Sequence, residues 1–375
     1  MGIKRFASIM NPYSNAVFTA DQKQTSVNVA RNLRLHGVRY DMLAEVFAAT
    51  RGGAYNFTYL DQVTDMVVTA GLECSLVIAF VPTGGGWVSS TKLVSAADIP
   101  YLCDAYVAAV NRVISRGQPR SKIRIEMWNE PDLVAFGAPS AGVIHRGNIE
   151  FFNACASAMK ANFPDITLSS PSIGYYDAVR MTWDSITNSN CGVNGVVDSH
   201  WQYYDEFNVH YYLSVDSVRP AKTLADMRRI ANYTFNNLEA TINATSLISG
   251  YFSTKPIVVS ECGMNFVNAG MSQQANNWGW GNETMRAKYL MRVLNTLAAR
   301  SRISMVSIYR TTNSQASYDA RDDAQHYGIC DSNGNSYILY TELGLLSGQS
   351  GLTMGTGTAT EGGGSGSSGD LDVPL

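Results

Sequence analysis

The sequence is short of charge. Lys, Arg, Asp and Glu make up 16% of its 375 residues, against about a quarter in an average soluble domain. The formal net charge is −3. No block of Lys or Arg is present to displace counterions from a phosphate backbone, so nucleic acid is not expected as a partner. Long apolar runs are missing as well. None approaches the roughly 20 residues of a membrane-spanning helix, so no membrane partner is expected. The opening stretch MGIKRFASIMNPYSN lacks the apolar core of a secretory signal. Phe6 stands where a myristoylation signal needs Ser or Thr. Cysteine is sparse and scattered. Cys74, Cys103, Cys155, Cys191, Cys262 and Cys330 include no C-x-x-C pair. Buried free thiols are the expected state, with one disulfide left open because sequence does not give connectivity. The histidines His36, His145, His200 and His326 are dispersed, so no metal and no cofactor are expected.

What is present is enough apolar material for a full core, at 45% hydrophobic residues, and a repeating pattern. Short β-rich runs fall at 3–10, 38–43, 75–81, 123–128, 166–170, 207–212, 257–260 and 303–308. Amphipathic segments lie between most of them, such as 57–70, 99–114 and 285–299. After the eighth run the pattern weakens, with 341–346 the one remaining helical stretch. Repeated strand–helix units imply a parallel sheet, and eight of them suit a closed (β/α)8 barrel. An open doubly wound sheet is the rival. It usually places a Gly-rich dinucleotide turn after its first strand, where this chain has Asn11-Pro12-Tyr13-Ser14-Asn15. The expectation is one barrel domain over 1–348. A tail over 349–375, dominated by Gly, Ser and Thr, has too little apolar surface to offset chain entropy.

Active sites of such barrels lie where the strands end. Two carboxylates stand at strand ends: Glu130 in IRIEMWNEPD on the fourth and Glu261 in PIVVSECG on the seventh. Alternation puts Ile257, Val259 and Glu261 on one side of the seventh strand. The same rule gives Glu126, Trp128 and Glu130 on the fourth, too polar a set for a barrel interior, so a twist or bulge is expected near Trp128. Glu126, deeper along the pleat, is expected to be structural. Two carboxyls across a cleft are the equipment for glycoside hydrolysis. A gap of about 5–5.5 Å gives retention, and a wider one leaves room for water and inversion.

The segment Trp128-Asn129-Glu130-Pro131 resembles that of glycoside hydrolase clan A, whose barrel enzymes carry catalytic glutamates on strands four and seven. The fuller string from Glu126 to Pro131, with Ser169-Ser170-Pro171 and His210-Tyr211-Tyr212, is most similar to family 39, over about residues 1–345. The resemblance implies that Glu130 is the acid/base, with a raised pKa, and Glu261 the nucleophile, kept ionised. It implies that Asn129 bonds the sugar 2-hydroxyl, that His210 and Tyr212 line the floor, and that Arg39 holds Glu261 charged. Asp41 shares the parity of Arg39 and is expected to orient it; a plain Arg39–Asp41 salt bridge is the bland alternative.

The chain departs from the clan at strand eight, where members often carry Trp and this sequence reads Ile308-Tyr309-Arg310. Tyr309 is the candidate sugar platform there. Trp87, after the glycines 84–86, and Trp278 and Trp280 are further candidates, because aromatic faces suit sugar rings. Cys262 has no evident role. The expected activity is a monomeric, retaining, endo-acting hydrolase of a polysaccharide or oligosaccharide. The endo expectation rests on the lack of a β-sandwich beside the barrel. The alternatives are a non-catalytic glycan-binding barrel, an exo-acting glycosidase such as a β-xylosidase, and an inverting hydrolase or lyase. Secretion or a particle surface suits the reading.

Overall fold

Residues 4–8, 20–48, 52–78, 94–131, 146–172, 203–212, 254–263, 265–266, 279–280, 283–311 and 329 are described by the computed structural model. The tail over 349–375, the segment 341–346, Trp87, Trp278, Cys191 and Cys330 lie outside them.

Eight β-rich runs form strands at the places that alternation and β-branched content predict. They are β1 (Lys4–Ser8), β2 (Gly37–Met42), β3 (Glu73–Ile78), β4 (Ile123–Glu126), β5 (Thr167–Ser169), β6 (Phe207–Tyr212), β7 (Ile257–Gly263) and β8 (Ile303–Ile308). All pair in parallel, in the order β5-β4-β3-β2-β1-β8-β7-β6. The two edges meet at a bridge between Ser169 and Glu206. There the Ser170 N–H donates to the Glu206 carbonyl at 3.0 Å and the Asp205 N–H to that of Leu168 at 2.8 Å. The ring is therefore closed, as the (β/α)8 expectation requires. Helices α1 (Ala20–Asn32), α2 (Ala44–Phe47), α3 (Thr58–Thr69), α4 (Ile99–Ser115), α5 (Arg146–Asn162) and α6 (Glu283–Ala298) alternate with the strands. Asn265–Phe266 and Gly279–Trp280 add a small two-stranded pair after β7.

The helix α4 illustrates how sequence makes these elements. Pro100 falls in its first turn, where a missing N–H costs nothing. Leu102, Tyr106, Ala109 and Val113 recur at helical spacing and are all buried. Gly117 ends it at φ 97°, a left-handed turn that lets the Gln118 N–H reach back to Val113. The buried face meets α5, where the Tyr106 and Phe151 ring centroids stand 6.1 Å apart. Each such buried Val, Leu or aromatic side chain contributes about 1.5–3 kcal/mol.

Two apolar regions result. The large one gathers helix faces and the outward side of the sheet, and a small one of Phe6, Val258 and Met305 fills the ring. Apart from Val77, much of the remaining interior among the described residues is polar. Arg124 is ion-paired to Glu206, which also accepts from Ser169 Oγ (2.9 Å) and Ser304 Oγ (3.1 Å). In β7 the inward residue is Val258, whereas Ile257 and Val259 belong to the outer core. The alternation expected from sequence is thus wrong by one. Pairing with β6 skips Ser260, passing from Val209↔Val259 to His210↔Glu261. That extra residue, a bulge, restores Glu261 to the inward side.

Gly37 opens β2 against Phe6 and Glu73. A Cβ there would run into the Phe6 ring and the Glu73 carbonyl oxygen, closer than van der Waals contact. Gly37→Ala is therefore expected to cost about 1–3 kcal/mol by overpacking, read as a lowered thermal midpoint.

Candidate active site

Strand β2 alternates cleanly. The Tyr40 hydroxyl faces outward to Thr64 Oγ1 of α3 at 3.3 Å, so Arg39 points into the ring. Each of its three guanidinium nitrogens has an acceptor. Nε donates to both Glu126 oxygens (3.1 and 2.9 Å), Nη1 to Glu261 Oε1 (2.6 Å) and Nη2 to Asn129 Oδ1 (3.0 Å). Burial works against its charge, but the carboxylates of Glu126, Glu261 and Asp41 outweigh burial and hold its pKa above the ordinary value. A buried charge is tolerated when it is paired and hydrogen-bonded in this way.

Glu126 is the residue that fixes Arg39. It also accepts from Ser75 Oγ at 2.6 Å and Asn208 Nδ2 at 3.2 Å, and it is fully buried. Its oxygens are thereby occupied, which suits a positioning role and agrees with the structural role expected for it. Asp41 was the expected orienting group, and here the expectation fails. The ion pairs of Arg39 are with Glu126 and Glu261. Asp41 takes no hydrogen bond from the described residues. Burial, despite the opposing charge of Arg39, together with the negative charges of Glu261 and Glu126, raises its carboxyl to about 7.

Beyond β4 the chain turns. Met127 and Trp128, consecutive residues, both join the outer core, which is the break in alternation expected near Trp128. The Trp128 ring packs on Phe151 and Phe152 of α5, with centroids at 5.8 and 5.4 Å. Ser172 pins the backbone: its N–H and Oγ donate to the Trp128 carbonyl at 3.0 and 2.9 Å, and it accepts the Glu130 N–H at 3.2 Å. Glu130 itself sits at φ 47°, a left-handed conformation uncommon for any residue but glycine. That turn brings its carboxylate into the ring mouth.

His210, on the same face of β6 as Asn208, stands between the two carboxylates. Its Nδ1 is 2.8 Å from Glu130 Oε1 and 3.4 Å from Glu261 Oε2. Burial disfavours its charge, but Glu261 and Glu130 outweigh burial and Arg39, so its pKa is raised. Glu130, His210 and Glu261 each offer an atom within 4.8 Å of the others. As a metal site the trio is compromised. A cation would compete with Arg39 for Glu261 and would need a neutral imidazole, where the carboxylates favour the charged one. Proton handling suits the trio better.

The structure thus brings Arg39, Asn129, Glu130, His210 and Glu261 together, on β2, the turn after β4, β6 and β7. Tyr309, just past β8, joins them at the mouth. Burial raises its phenol to about 12; Arg310 opposes this, and the charges of Glu261, Asp41 and Glu130 add to it. Its N–H donates to the Cys262 carbonyl at 2.8 Å, and the Tyr309–Arg310 peptide is cis. Cys262 faces the outer core and burial pushes its thiol up to about 12, as an inert packing group. Cys74, Cys103 and Cys155 are likewise buried and free. Tyr212 ends β6 opposite Gly263 and Trp280 ends the short strand pair; their side chains lie outside the described residues. Ser75, Asn208 and Ser172 were missed by sequence reasoning. The signal for Asn208 was its shared parity with His210. Ser75 was marked only by its register opposite Arg39.

The profile of glycosyl hydrolases family 39 matches residues 16–324. No curated protein matches the sequence. Among solved structures, the chain resembles a family 39 glycoside hydrolase from Bacteroides cellulosilyticus WH2, with TM-score 0.58 and 14% identity over 92% of this chain and 63% of that one. It resembles a family 39 enzyme from Xanthomonas axonopodis pv. citri with TM-score 0.63 and 15% identity, over 93% and 67%. A monomeric β-xylosidase from Caulobacter crescentus CB15 gives TM-score 0.59 and 14% identity, over 93% and 68%. The chain spans less than two thirds of the length of the Bacteroides enzyme. At these identities the likeness is one of fold.

Proposed function

Because the chain belongs to glycosyl hydrolases family 39, we propose that it hydrolyses glycosidic bonds with retention of configuration, Glu261 acting as nucleophile and Glu130 as acid/base. The observation that carries this reading is the spacing of the two carboxylates, which bring oxygens within 4.8 Å of each other. Retaining enzymes hold their carboxyls about 5–5.5 Å apart, and inverting ones leave about 6.5–9.5 Å for a water.

The environments divide the roles. Arg39 donates to Glu261 at 2.6 Å, and an opposite charge favours the ionised carboxylate. Glu261 then attacks the anomeric carbon as the bond to the leaving oxygen breaks and Glu130 delivers its proton to that oxygen. The covalent intermediate removes the negative charge of Glu261. Glu130, now free of that repulsion, accepts a proton from water as the water oxygen attacks the anomeric carbon and Glu261 departs. Asn129 has its Oδ1 taken by Arg39, which directs its amide N–H toward the cleft as a donor to the sugar 2-hydroxyl. His210 and Tyr212 are the proposed floor, and Tyr309, Trp87, Trp278 and Trp280 are the proposed sugar platforms.

Proton NMR of the first products tests the stereochemistry. Retention predicts that the newly formed hemiacetal appears first in the anomeric form of the substrate; first appearance of the opposite anomer would overturn it. Attack within a polysaccharide chain, by a monomer, is part of the proposal. Oligosaccharides are then the first products, and release of monosaccharide from the outset would refute that mode. A panel of polysaccharides identifies the sugar.

A further inference from the structure

The run Ser169-Ser170-Pro171-Ser172, at the end of β5, reaches in three directions. Ser169 Oγ donates to Glu206 inside the ring at 2.9 Å. Ser170 Oγ accepts the Asn208 N–H of β6 at 3.0 Å, two residues before His210. Pro171 has no N–H to give. Ser172, fully buried, bridges to Asn129 in the chain beyond β4. One short run thus ties the strand that carries His210 to the turn that carries Glu130.

The Ser172 hydroxyl has one hydrogen, and it goes to the Trp128 carbonyl at 2.9 Å. A lone pair of the same oxygen takes the Glu130 N–H at 3.2 Å. Those two peptide groups lie on either side of Asn129, so one oxygen brackets the residue before the acid/base. Regular pairing of β4 with β5 has stopped at Glu126↔Ser169, and a side chain takes over from the ladder. With alanine at 172 the Trp128 carbonyl would keep the bond it receives from the 172 N–H, at 3.0 Å. The Glu130 N–H alone would lose its acceptor. It would do so in a residue at φ 47°, a conformation that persists only where the surroundings over-determine it.

We propose that Ser172 is a positioning residue, whose hydroxyl holds the turn at Asn129 and Glu130 and so aims the acid/base carboxyl. The inference rests on the hydrolase reading above and adds the group that orients its proton donor. Asn129 is held separately by Arg39, so relaxing the turn bears chiefly on Glu130. A misplacement of about 1 Å in such a group can cost about 100-fold in rate. The cost falls on substrates that need the proton. A 2,4-dinitrophenolate leaves without it, whereas a phenolate does not.

The test compares kcat/KM, which reports the glycosylation step, for phenyl and 2,4-dinitrophenyl glycosides of the sugar that the polysaccharide panel identifies. Ser172→Ala is expected to lose about 10- to 100-fold on the phenyl glycoside and less than about threefold on the other. Ser172→Thr keeps a hydroxyl and is expected to recover part of the loss. Ser172→Cys, with a weak acceptor, is measured beside them, so the comparison does not depend on the alanine variant folding. Gly37→Ala, destabilised away from the site, is the control and should treat the two leaving groups alike. Equal losses on both substrates in the Ser172 variants, or none on the phenyl glycoside, would overturn the inference. A second readout needs no turnover. The His210 Nδ1 contact with Glu130, at 2.8 Å, loosens when the turn relaxes. The imidazole 15N resonances of His210, assigned through His210→Asn, are expected to move in Ser172→Ala and to stay in Gly37→Ala. Unmoved resonances in Ser172→Ala would also overturn it. Moved resonances in a protein that cleaves no glycoside would sink the hydrolase reading and leave Ser172 as the holder of the turn.

Discussion

Glu261→Ala is expected to lower kcat by at least about three orders of magnitude, the loss typical when an attacking group is removed from a covalent mechanism. The same variant leaves a cavity beside Arg39 that admits a small anion. Added azide should restore turnover of an activated glycoside and yield a glycosyl azide of inverted configuration, because azide attacks from the face Glu261 occupied. Glu130→Ala should behave differently. With 2,4-dinitrophenyl leaving groups, which need little protonation, the first step should stay fast. With poor leaving groups it should slow about 100- to 10,000-fold. Azide should then give a retained product, since it intercepts the glycosyl-enzyme. If both variants gave products of one configuration, the assignment of roles would be wrong. Unchanged turnover in Glu261→Ala would remove the covalent mechanism altogether.

Arg39→Met should unsettle the fold as well as the chemistry. The guanidinium joins Glu126, Glu261 and Asn129, and both carboxylates are nearly excluded from solvent. Removing this cation takes from Glu126 and Glu261 the partner they share, at a cost of about 3–5 kcal/mol. The surface pairs Arg116–Asp65 and Arg120–Asp165, with well-exposed partners, contribute little by comparison because solvent screens them. Urea denaturation of Arg39→Met measures the loss. Adding Glu126→Gln should recover part of it, because one of the stranded charges is gone, while activity stays low. A destabilisation under about 1 kcal/mol would mean that the carboxylates find other partners. Arg39→Lys should lie between. A lysine brings one compact ammonium where the site uses three guanidinium nitrogens in a fixed fork.

Much of this site is legible in the sequence. Strand ends in a parallel ring converge, so carboxylates at two such ends meet across the mouth. Asn129 stands just past the end of β4 by the same rule, and Arg39 and His210 lie within β2 and β6 on their inward faces. What eluded sequence reasoning was decided by pairing between strands. The bulge at Ser260 has no signature in the apolar alternation of PIVVSECG, and only the register with β6 shows which residues point inward. Asp41 shares a face with Arg39, and proximity in sequence favoured it as the partner. Glu126 reaches Arg39 from two strands away, through β3, and carries Ser75 and Asn208 with it. The excess polarity of the fourth strand was a true observation. Its explanation is partly the turn at Trp128 and partly that this ring interior is built of ion pairs.

The left-handed backbone at Glu130 bears on how such a protein changes over generations. Glycine would hold that conformation about 1–2 kcal/mol more comfortably than glutamate, and asparagine would gain part of it. The substitutions that abolish the proposed acid/base are thus among those that make the molecule sturdier. Stability and turnover pull in opposite directions at this one position. A lineage selected only to bind glycan would drift toward a small residue there, with each step downhill in folding free energy. The glutamate in this sequence stands against that slope, as the proposed acid/base requires.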